Sequence, residues 1–136
     1  MKIIVPDTGV LIDGRITKLA EKRIKVIVSK SVVAELENQA NKGHETGFTG
    51  LDELKQLSIL AKDKKIELEF TGDRPTIEEI QNASIGAIDS KIRKIASSTP
   101  NATLYTTDKV QALVAEAEGI PVTFLEPVIE KPKLSI

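Results

Sequence analysis

Short apolar runs rich in β-branched residues alternate along this chain with longer stretches in which apolar residues recur at helical spacing. The first run, Ile-Ile-Val at residues 3–5, shows no alternation of polar and apolar side chains, which is typical of a strand buried on both faces of a parallel sheet. Parallel strands must be joined by crossover segments, and these are usually helices. The alternation therefore predicts a layered α/β fold. Strands are predicted for residues 2–5, 24–28, 66–70, 102–107 and 121–125.

The intervening helices are predicted from the spacing of Ile, Leu, Val and Ala. Ser29 or Ser31 can cap the second helix, and Gly119 ends the last one. Residues 66–70 alternate between polar and apolar side chains, which favours a half-exposed strand at the edge of the sheet. Helices are predicted for residues 10–23, 32–40, 51–61, 76–96 and 109–118, with loops over residues 41–50 and 72–75.

The chain has 136 residues, which is the size of one ordinary domain. The strand and helix patterns end at Pro127, so we expect a domain over residues 1–127 and a tail or the start of a linker over residues 128–136. Its apolar runs are too short to cross a membrane, and the first is too short for a signal peptide. We therefore expect a soluble, cytoplasmic protein.

The composition excludes several kinds of chemistry. The chain has no Cys and one His, so thiol nucleophiles, zinc knuckles and any site that needs two His side chains are excluded. The formal net charge of −1 argues against a generic basic nucleic-acid-binding protein. Catalysis would have to come from hydroxyl groups, Lys, Arg or carboxylates.

Two acidic residues follow predicted strands directly. Asp7 comes after the first strand, and Asp108 comes after the strand that ends at Thr107. Ligands of open α/β sheets bind at the carboxyl ends of the strands, so the two carboxylates would face one crevice if their strands are neighbours. Each residue could instead cap the helix that follows it, and Asp108 with Gln111 has the spacing of a capping box.

Two further acids lie on predicted helices. On a helical wheel Asp89 falls at the edge of the apolar face, where an ionised carboxylate needs either a basic partner or a bound cation. The basic residues nearest in sequence, Lys91, Arg93 and Lys94, point elsewhere on the wheel, which favours the cation. Geometry alone does not choose between Glu35 and Glu37, which both flank the apolar stripe of their helix.

Together, these acids would form an all-oxygen site at one edge of the sheet. Without Cys or paired His, such a site favours a hard cation, Mg²⁺ or Mn²⁺. An ion of this kind lowers the pKa of a bound water and stabilises both oxygens of an in-line phosphoryl displacement. The predicted chemistry is hydrolysis of a phosphodiester.

Over residues 1–127 the chain resembles the PIN-domain family of metal-dependent nucleases. The resemblance rests on four short motifs in a fixed order: Ile-Ile-Val-Pro-Asp-Thr at residues 3–8, Val-Val-Ala-Glu-Leu at 32–36, Gly-Ala-Ile-Asp at 86–89, and Leu-Tyr-Thr-Thr-Asp at 104–108. It implies an α/β/α sandwich with a central, mostly parallel five-stranded sheet, and cleavage of single-stranded RNA with one or two Mg²⁺ or Mn²⁺ ions. It also selects Glu35 over Glu37. The residues implied as metal ligands are Asp7, Glu35, Asp89 and Asp108, with Thr106 as the hydroxyl residue two positions before the last acid.

Within the family, the stretch over residues 5–16 is most similar to archaeal PIN domains that precede an ATPase and a KH module, with toxin-type PIN nucleases as the nearby alternative. The resemblance also implies a possible homodimer. The alternative function is a non-catalytic RNA-binding or regulatory PIN module attached to an ATPase or a partner protein. The chain departs from the family in two ways: Gly9 stands where serine is frequent, and Lys109 and Val110 stand where a further acid is frequent.

Basic side chains are needed to hold the phosphates of such a substrate. His44, in a polar predicted loop without an evident partner, is expected to take no part in the chemistry. The candidates to hold phosphates are Arg15, Lys62, Lys64, Lys65, Lys91, Arg93 and Lys94.

Overall fold

The structure is a computed structural model that describes residues 1–20, 22–82 and 85–127. The predicted tail over residues 128–136 lies outside these ranges. No helix within them is long and apolar enough to cross a membrane. In chain order the elements are β1 (Lys2–Pro6), α1 (Thr8–Ile12), α2 (Arg15–Leu19), β2 (Ile24–Ser29), α3 (Lys30–Asn41), α4 (Glu45–Lys62), β3 (Glu67–Thr71), α5 (Ile77–Asn82), α6 (Ile85–Ser98), β4 (Ala102–Thr106), α7 (Lys109–Ala117) and β5 (Val122–Phe124).

The strands form one five-stranded sheet in the order β3-β2-β1-β4-β5. Every pairing is parallel, and helices cover both faces, so the predicted α/β/α sandwich is confirmed. From β1 the chain builds the sheet first to one side, through β2 and β3, and then to the other, through β4 and β5. The strand order therefore reverses between β1 and β4, which is where ligands of open α/β sheets bind.

The burial of each strand follows its place in the sheet. The central strands β1, β2 and β4 are almost entirely buried, as expected of apolar runs without alternation. The edge strand β3 is exposed or half-exposed along its whole length, which confirms the prediction from its alternating pattern. The core is built from aliphatic side chains of the sheet and of the helices packed on it, among them Ile4, Val26, Leu57, Ile92 and Leu104, all fully buried.

The predicted loop over residues 41–50 is wrong in its second half. Helix α4 begins at Glu45, with His44 as its N-cap residue. Gly47 and Gly50 are not loop residues but contact positions between helices. A Cβ atom on Gly47 would lie 2.3 Å from the backbone nitrogen of Ala40, and one on Gly50 would lie 2.4 Å from a methyl of Leu36. The two glycines let α4 pack directly on α3.

The predicted helix over residues 10–23 is two short helices, α1 and α2. Gly14 separates them in a left-handed conformation, with φ of 66°, which glycine adopts without strain. Gly14 offers no side chain to cap α2. The carboxylate of Glu53, on α4, fills this role and accepts hydrogen bonds from the backbone nitrogens of Ile16 and Thr17, both at 3.1 Å.

The predicted helix over residues 76–96 is described as two helices, α5 and α6, with residues 83 and 84 outside the described ranges. Helix α6 continues two residues further than predicted, to Ser98. Of the two predicted caps for α3, the structure uses Ser29, whose hydroxyl accepts a hydrogen bond from the backbone nitrogen of Ser31 at 3.1 Å.

Candidate functional site

Asp7 and Asp108 lie at the carboxyl edge of the sheet, the edge at which the parallel strands end. Their strands, β1 and β4, are neighbours, and the last register pair is Pro6 with Tyr105. The backbone nitrogen of Asp7 continues this ladder with a 2.9 Å hydrogen bond to the carbonyl of Tyr105. The condition set by the sequence, that the two acids follow neighbouring strands, is therefore met.

Asp7 is buried, with 5% of its surface exposed, and both of its carboxylate oxygens are occupied. Oδ1 accepts a hydrogen bond from the nitrogen of Gly9 at 2.8 Å, so Asp7 caps α1. Oδ2 accepts one from the hydroxyl of Thr106 at 2.5 Å. Burial raises the pKa of Asp7 more than these two hydrogen bonds lower it, and the charge of Asp108 raises it further.

Thr106 connects the two acids at the switch point. Its side chain is fully buried, and it donates to Asp7 while its oxygen accepts from the backbone nitrogen of Asp108 at 3.0 Å. The hydroxyl thus fixes the carboxylate of one strand end and the backbone of the other. This accounts for a hydroxyl residue two positions before the second acid.

Asp108 caps α7 as the sequence allowed. Its Oδ1 accepts hydrogen bonds from the nitrogens of Val110, at 2.9 Å, and Gln111, at 3.4 Å. The reciprocal half of the predicted capping box is absent, because the Gln111 side chain turns away from the start of its own helix. Gln111 Nε2 donates instead to the carbonyl of Asp89 at 3.1 Å. A buried glutamine therefore joins α7 to α6 beside the acids.

Glu35 faces Asp7 from α3, and Glu37 does not. The hydroxyl of Thr8 donates to Glu35 Oε2 at 2.8 Å. Burial raises the pKa of Glu35 and the charge of Asp7 raises it further, while the hydrogen bond from Thr8 opposes both. Glu37 forms an ion pair with Arg74. The structure thus separates two acids that spacing alone left equivalent.

Asp89 is partly buried on α6, and the negative charges of the other three acids act on it. Burial raises its pKa to about 6, together with repulsion from Asp7, Asp108 and Glu35. The positive charge of Arg93 lowers it, as the smallest of these contributions. Arg93 is, however, engaged elsewhere: its Nε pairs with Glu118 at 3.0 Å, and it also donates to Gln111.

The donor chemistry of this edge fits a hard divalent cation. All four side chains offer carboxylate oxygen, and none of them takes part in an ion pair formed within the described ranges. In the present side-chain positions, however, no three His, Asp or Glu residues among those described are arranged as ligands of one ion. The acids are coupled through their charges but do not yet converge on one point.

Sequence reasoning missed Thr8 and Gln111. Thr8 directly follows the first acid, so a hydroxyl beside a strand-end carboxylate was an available signal. Gln111 is 1% exposed in α7 beside the buried alanines Ala112 and Ala115, and a polar side chain among such small apolar residues was a second signal. The contact that each makes depends on a distant element, so spacing did not reveal it.

Gly9, which departs from the family, lies close to the side chain of Thr107. A Cβ atom at this position would lie 2.3 Å from the side-chain oxygen of Thr107. A serine at position 9 would therefore require the Thr107 side chain to move.

Three of the basic residues proposed to hold phosphates lie away from this site. They come just before β3, at the edge of the sheet where the strands begin, whereas the acids lie where the strands end. These residues are Lys62, Lys64 and Lys65.

A parallel five-stranded sheet with coupled carboxylates at its switch point defines the class of this protein: an α/β domain with an acidic site. Within that class, the chain belongs to the PIN domain family, which matches residues 4–117. The resemblance stated from its motifs is confirmed. PIN domains are usually nucleases.

Known relatives agree with this assignment. The chain is 45% identical, over 98% of its length, to an uncharacterized KH and PIN-domain containing protein of Methanocaldococcus jannaschii, and covers 21% of that protein. It is 26% identical, over 91% of its length, to the Holliday junction branch migration ATPase PINA of Sulfolobus acidocaldarius, and covers 23% of it. The chain thus spans about a fifth of the length of these relatives.

A solved structure shares the fold. It is a domain of a functionally unknown protein from Methanocaldococcus jannaschii, with a TM-score of 0.86 and 44% sequence identity, and the match covers all of this chain and 99% of the other. The names of the two curated relatives include a KH module in one case and an ATPase in the other.

Proposed function

We propose that the chain is an endoribonuclease that hydrolyses phosphodiester bonds of single-stranded RNA with Mg²⁺ or Mn²⁺. The observation that carries this proposal is the electrostatic coupling of four carboxylates at the switch point, where burial first, and then repulsion from the other three acids, raise the pKa of Asp89 to about 6. The three acids that repel Asp89 are Asp7, Glu35 and Asp108. Acidic side chains held near one another repel, and a cation bound among them would offset this repulsion.

Asp7, Asp89 and Asp108 would hold the first ion, and Glu35 would complete the site, either at a second ion or by orienting the attacking water. When bound, such an ion activates water and offsets the charge that develops on the phosphate. The hydroxyls beside the acids have a separate role. Thr106 holds the Asp7 carboxylate and Thr8 holds that of Glu35, so both acids keep their direction as the substrate enters.

The same edge offers a path for the substrate. A groove of about 310 Å³ lies at the carboxyl ends of β2 and β3, between the start of α3 and helix α6. Its lining residues include Ser29, Ser31 and Thr71, the lysines Lys91 and Lys94, and one acid, Asp73. Lys91 also forms an ion pair with Glu79 at 3.0 Å, so Lys94 is the lysine of the groove without such a partner among the described residues. Hydroxyls and ammonium groups are the usual partners of phosphate oxygens. An extended strand that crosses the acids would leave along this groove.

The test is cleavage of an end-labelled, unstructured RNA in Mn²⁺ and in EDTA. We expect cleavage only with the ion, and a loss of at least about 100-fold in Asp7→Asn, since even indirect partners of a metal site contribute 10- to 100-fold. Asp52→Asn, which changes an exposed acid on α4, is the matched control and should cleave normally. Equal cleavage by wild type and Asp7→Asn would refute the proposal.

The second candidate is a non-catalytic RNA-binding or regulatory module that acts through attached domains. Two observations favour it: the acids do not converge in the present conformation, and the relatives are several times longer and are named for further modules. Tight binding of the same RNA in Mn²⁺ without any cleavage would support this candidate against the nuclease.

A further inference from the structure

The opposite edge of the sheet, where the strands begin, carries a second cavity. It lies at the first register pair of β1 and β2, Lys2 with Ile24, and has a volume of about 400 Å³. Cavities of this size are typical of sites for small molecules. The four acids lie at the other end of the strands, so this cavity is separate from the proposed nuclease site.

Four basic residues surround the cavity: Lys2, Lys18, Lys22 and Arg23. No acidic residue lines it within the described part of the chain, and none of the four is in an ion pair there. All four are exposed, and cationic side chains gathered around one cavity attract an anion to it. This is a local concentration of positive charge in a chain whose net charge is −1.

The floor of the cavity is apolar and contains Tyr105. The residue is 3% exposed, and the Nζ atom of Lys2 lies 5.3 Å from the centre of its ring, which holds this ammonium group over the cavity. The tyrosine hydroxyl forms no hydrogen bond with any described residue, so it is available to a ligand. Beside it, Leu19 is 39% exposed although it lines the cavity.

We propose that this cavity binds a nucleotide, with its phosphate among the four cations and its base and ribose on the apolar floor. Inorganic anions would use only the cations and leave Leu19 and Tyr105 uncovered. The ligand is either a free nucleotide or one nucleotide of an RNA strand, which share this chemistry. The proposal does not rest on the nuclease site.

Tyr105 makes the test direct, because it is the only tyrosine of the chain. With ¹³C-labelled tyrosine, one ring signal in the NMR spectrum reports on the cavity. AMP, a 5′-phosphorylated tetranucleotide and inorganic pyrophosphate are titrated in EDTA. We expect a saturable shift below about 1 mM with AMP, with the tetranucleotide or with both, and a weaker response to pyrophosphate. A shift with AMP identifies the free nucleotide, and a shift with RNA alone identifies the strand.

The Lys18→Gln/Lys22→Gln variant changes two exposed side chains, and we expect it to bind about tenfold more weakly or worse, since a charge-assisted hydrogen bond contributes about that factor. Lys55→Gln/Lys62→Gln, with two exposed lysines of α4, is the matched control and should bind as wild type. Asp89→Asn should also bind normally. The proposal is overturned if no probe shifts the signal, if pyrophosphate binds as tightly as AMP, if the first variant binds normally, or if Asp89→Asn does not bind.

Discussion

The burial of the acids and their mutual repulsion predict that removing the charge of Asp89 stabilises the metal-free protein. In Asp89→Asn the side chain keeps its size and loses its charge. The pKa of the Asp89 carboxyl is about 6 in the folded chain, against an ordinary value of 3.8 for an aspartate in the unfolded chain. Between these two pH values the folded state therefore keeps a proton on Asp89 that the unfolded state has released. The free energy of unfolding contributed by this group therefore falls as the pH rises from about 4 to about 6, and stays low above that.

The magnitude follows from the same two values. A difference of about two pKa units corresponds to about 3 kcal/mol of destabilisation at neutral pH, and this is an upper bound. Asp89 is only partly buried, and solvent screening reduces the value to about 1 kcal/mol. For a chain of this size, 1 kcal/mol is about 4 °C in the unfolding midpoint.

The assay is thermal and urea unfolding in EDTA at pH 7.5 and at pH 4.5. We expect Asp89→Asn to unfold at higher temperature than wild type at pH 7.5, with a smaller difference at pH 4.5. Asp52→Asn makes the same change at an exposed position of α4 and should show no gain. Adding Mn²⁺ should raise the midpoint of wild type and not of Asp89→Asn, because a cation bound only by the folded state stabilises it. An Asp89→Asn variant less stable than wild type in EDTA at pH 7.5 would refute the reasoning.

Three further predictions concern the fold itself and are checked by urea unfolding. Glu53→Ala removes the acceptor of two backbone nitrogens at the start of α2 and should destabilise the chain by about 3 kcal/mol. Glu53→Gln keeps an acceptor oxygen and should destabilise the chain less. Gly47→Ala forces α4 away from the backbone of α3 and should cost about 2 kcal/mol or more, whereas Ser58→Ala, at an exposed site on the same helix, should be neutral. Leu57→Ala empties a fully buried position and should cost about 2–5 kcal/mol, and a loss below 1 kcal/mol would contradict the described core.

The parts of the fold that follow from local pattern were predictable. Apolar runs without alternation predicted the buried strands, and the alternating run predicted that β3 lies at an edge of the sheet. The position of Asp7 and Asp108 directly after apolar runs predicted that both residues lie where strands end. The prediction worked because these signals depend on the periodicity of one segment at a time. The resemblance to PIN domains indicated which acids from distant segments belong to one site.

Several of the errors share one physical cause, which is that the deciding contact lies elsewhere in the chain. Gly47 and Gly50 suggested a loop, but they are small because α3 presses against them. The start of α2 carries no capping residue of its own because Glu53 supplies the cap from 37 positions away. The pairing of Thr8 with Glu35 is also long-range, and only the packing of α1 near α3 brings the two together.

The hydrogen bond from Thr106 to Asp7 joins residues 99 positions apart, which is most of the domain. Closing so large a loop is slow relative to forming local helices, and no shorter piece of chain contains both partners. A nascent polypeptide therefore has no assembled acidic edge until β4 has been synthesised and has inserted beside β1. A chain that ends before β4 therefore lacks Thr106 and Asp108 and cannot assemble this edge.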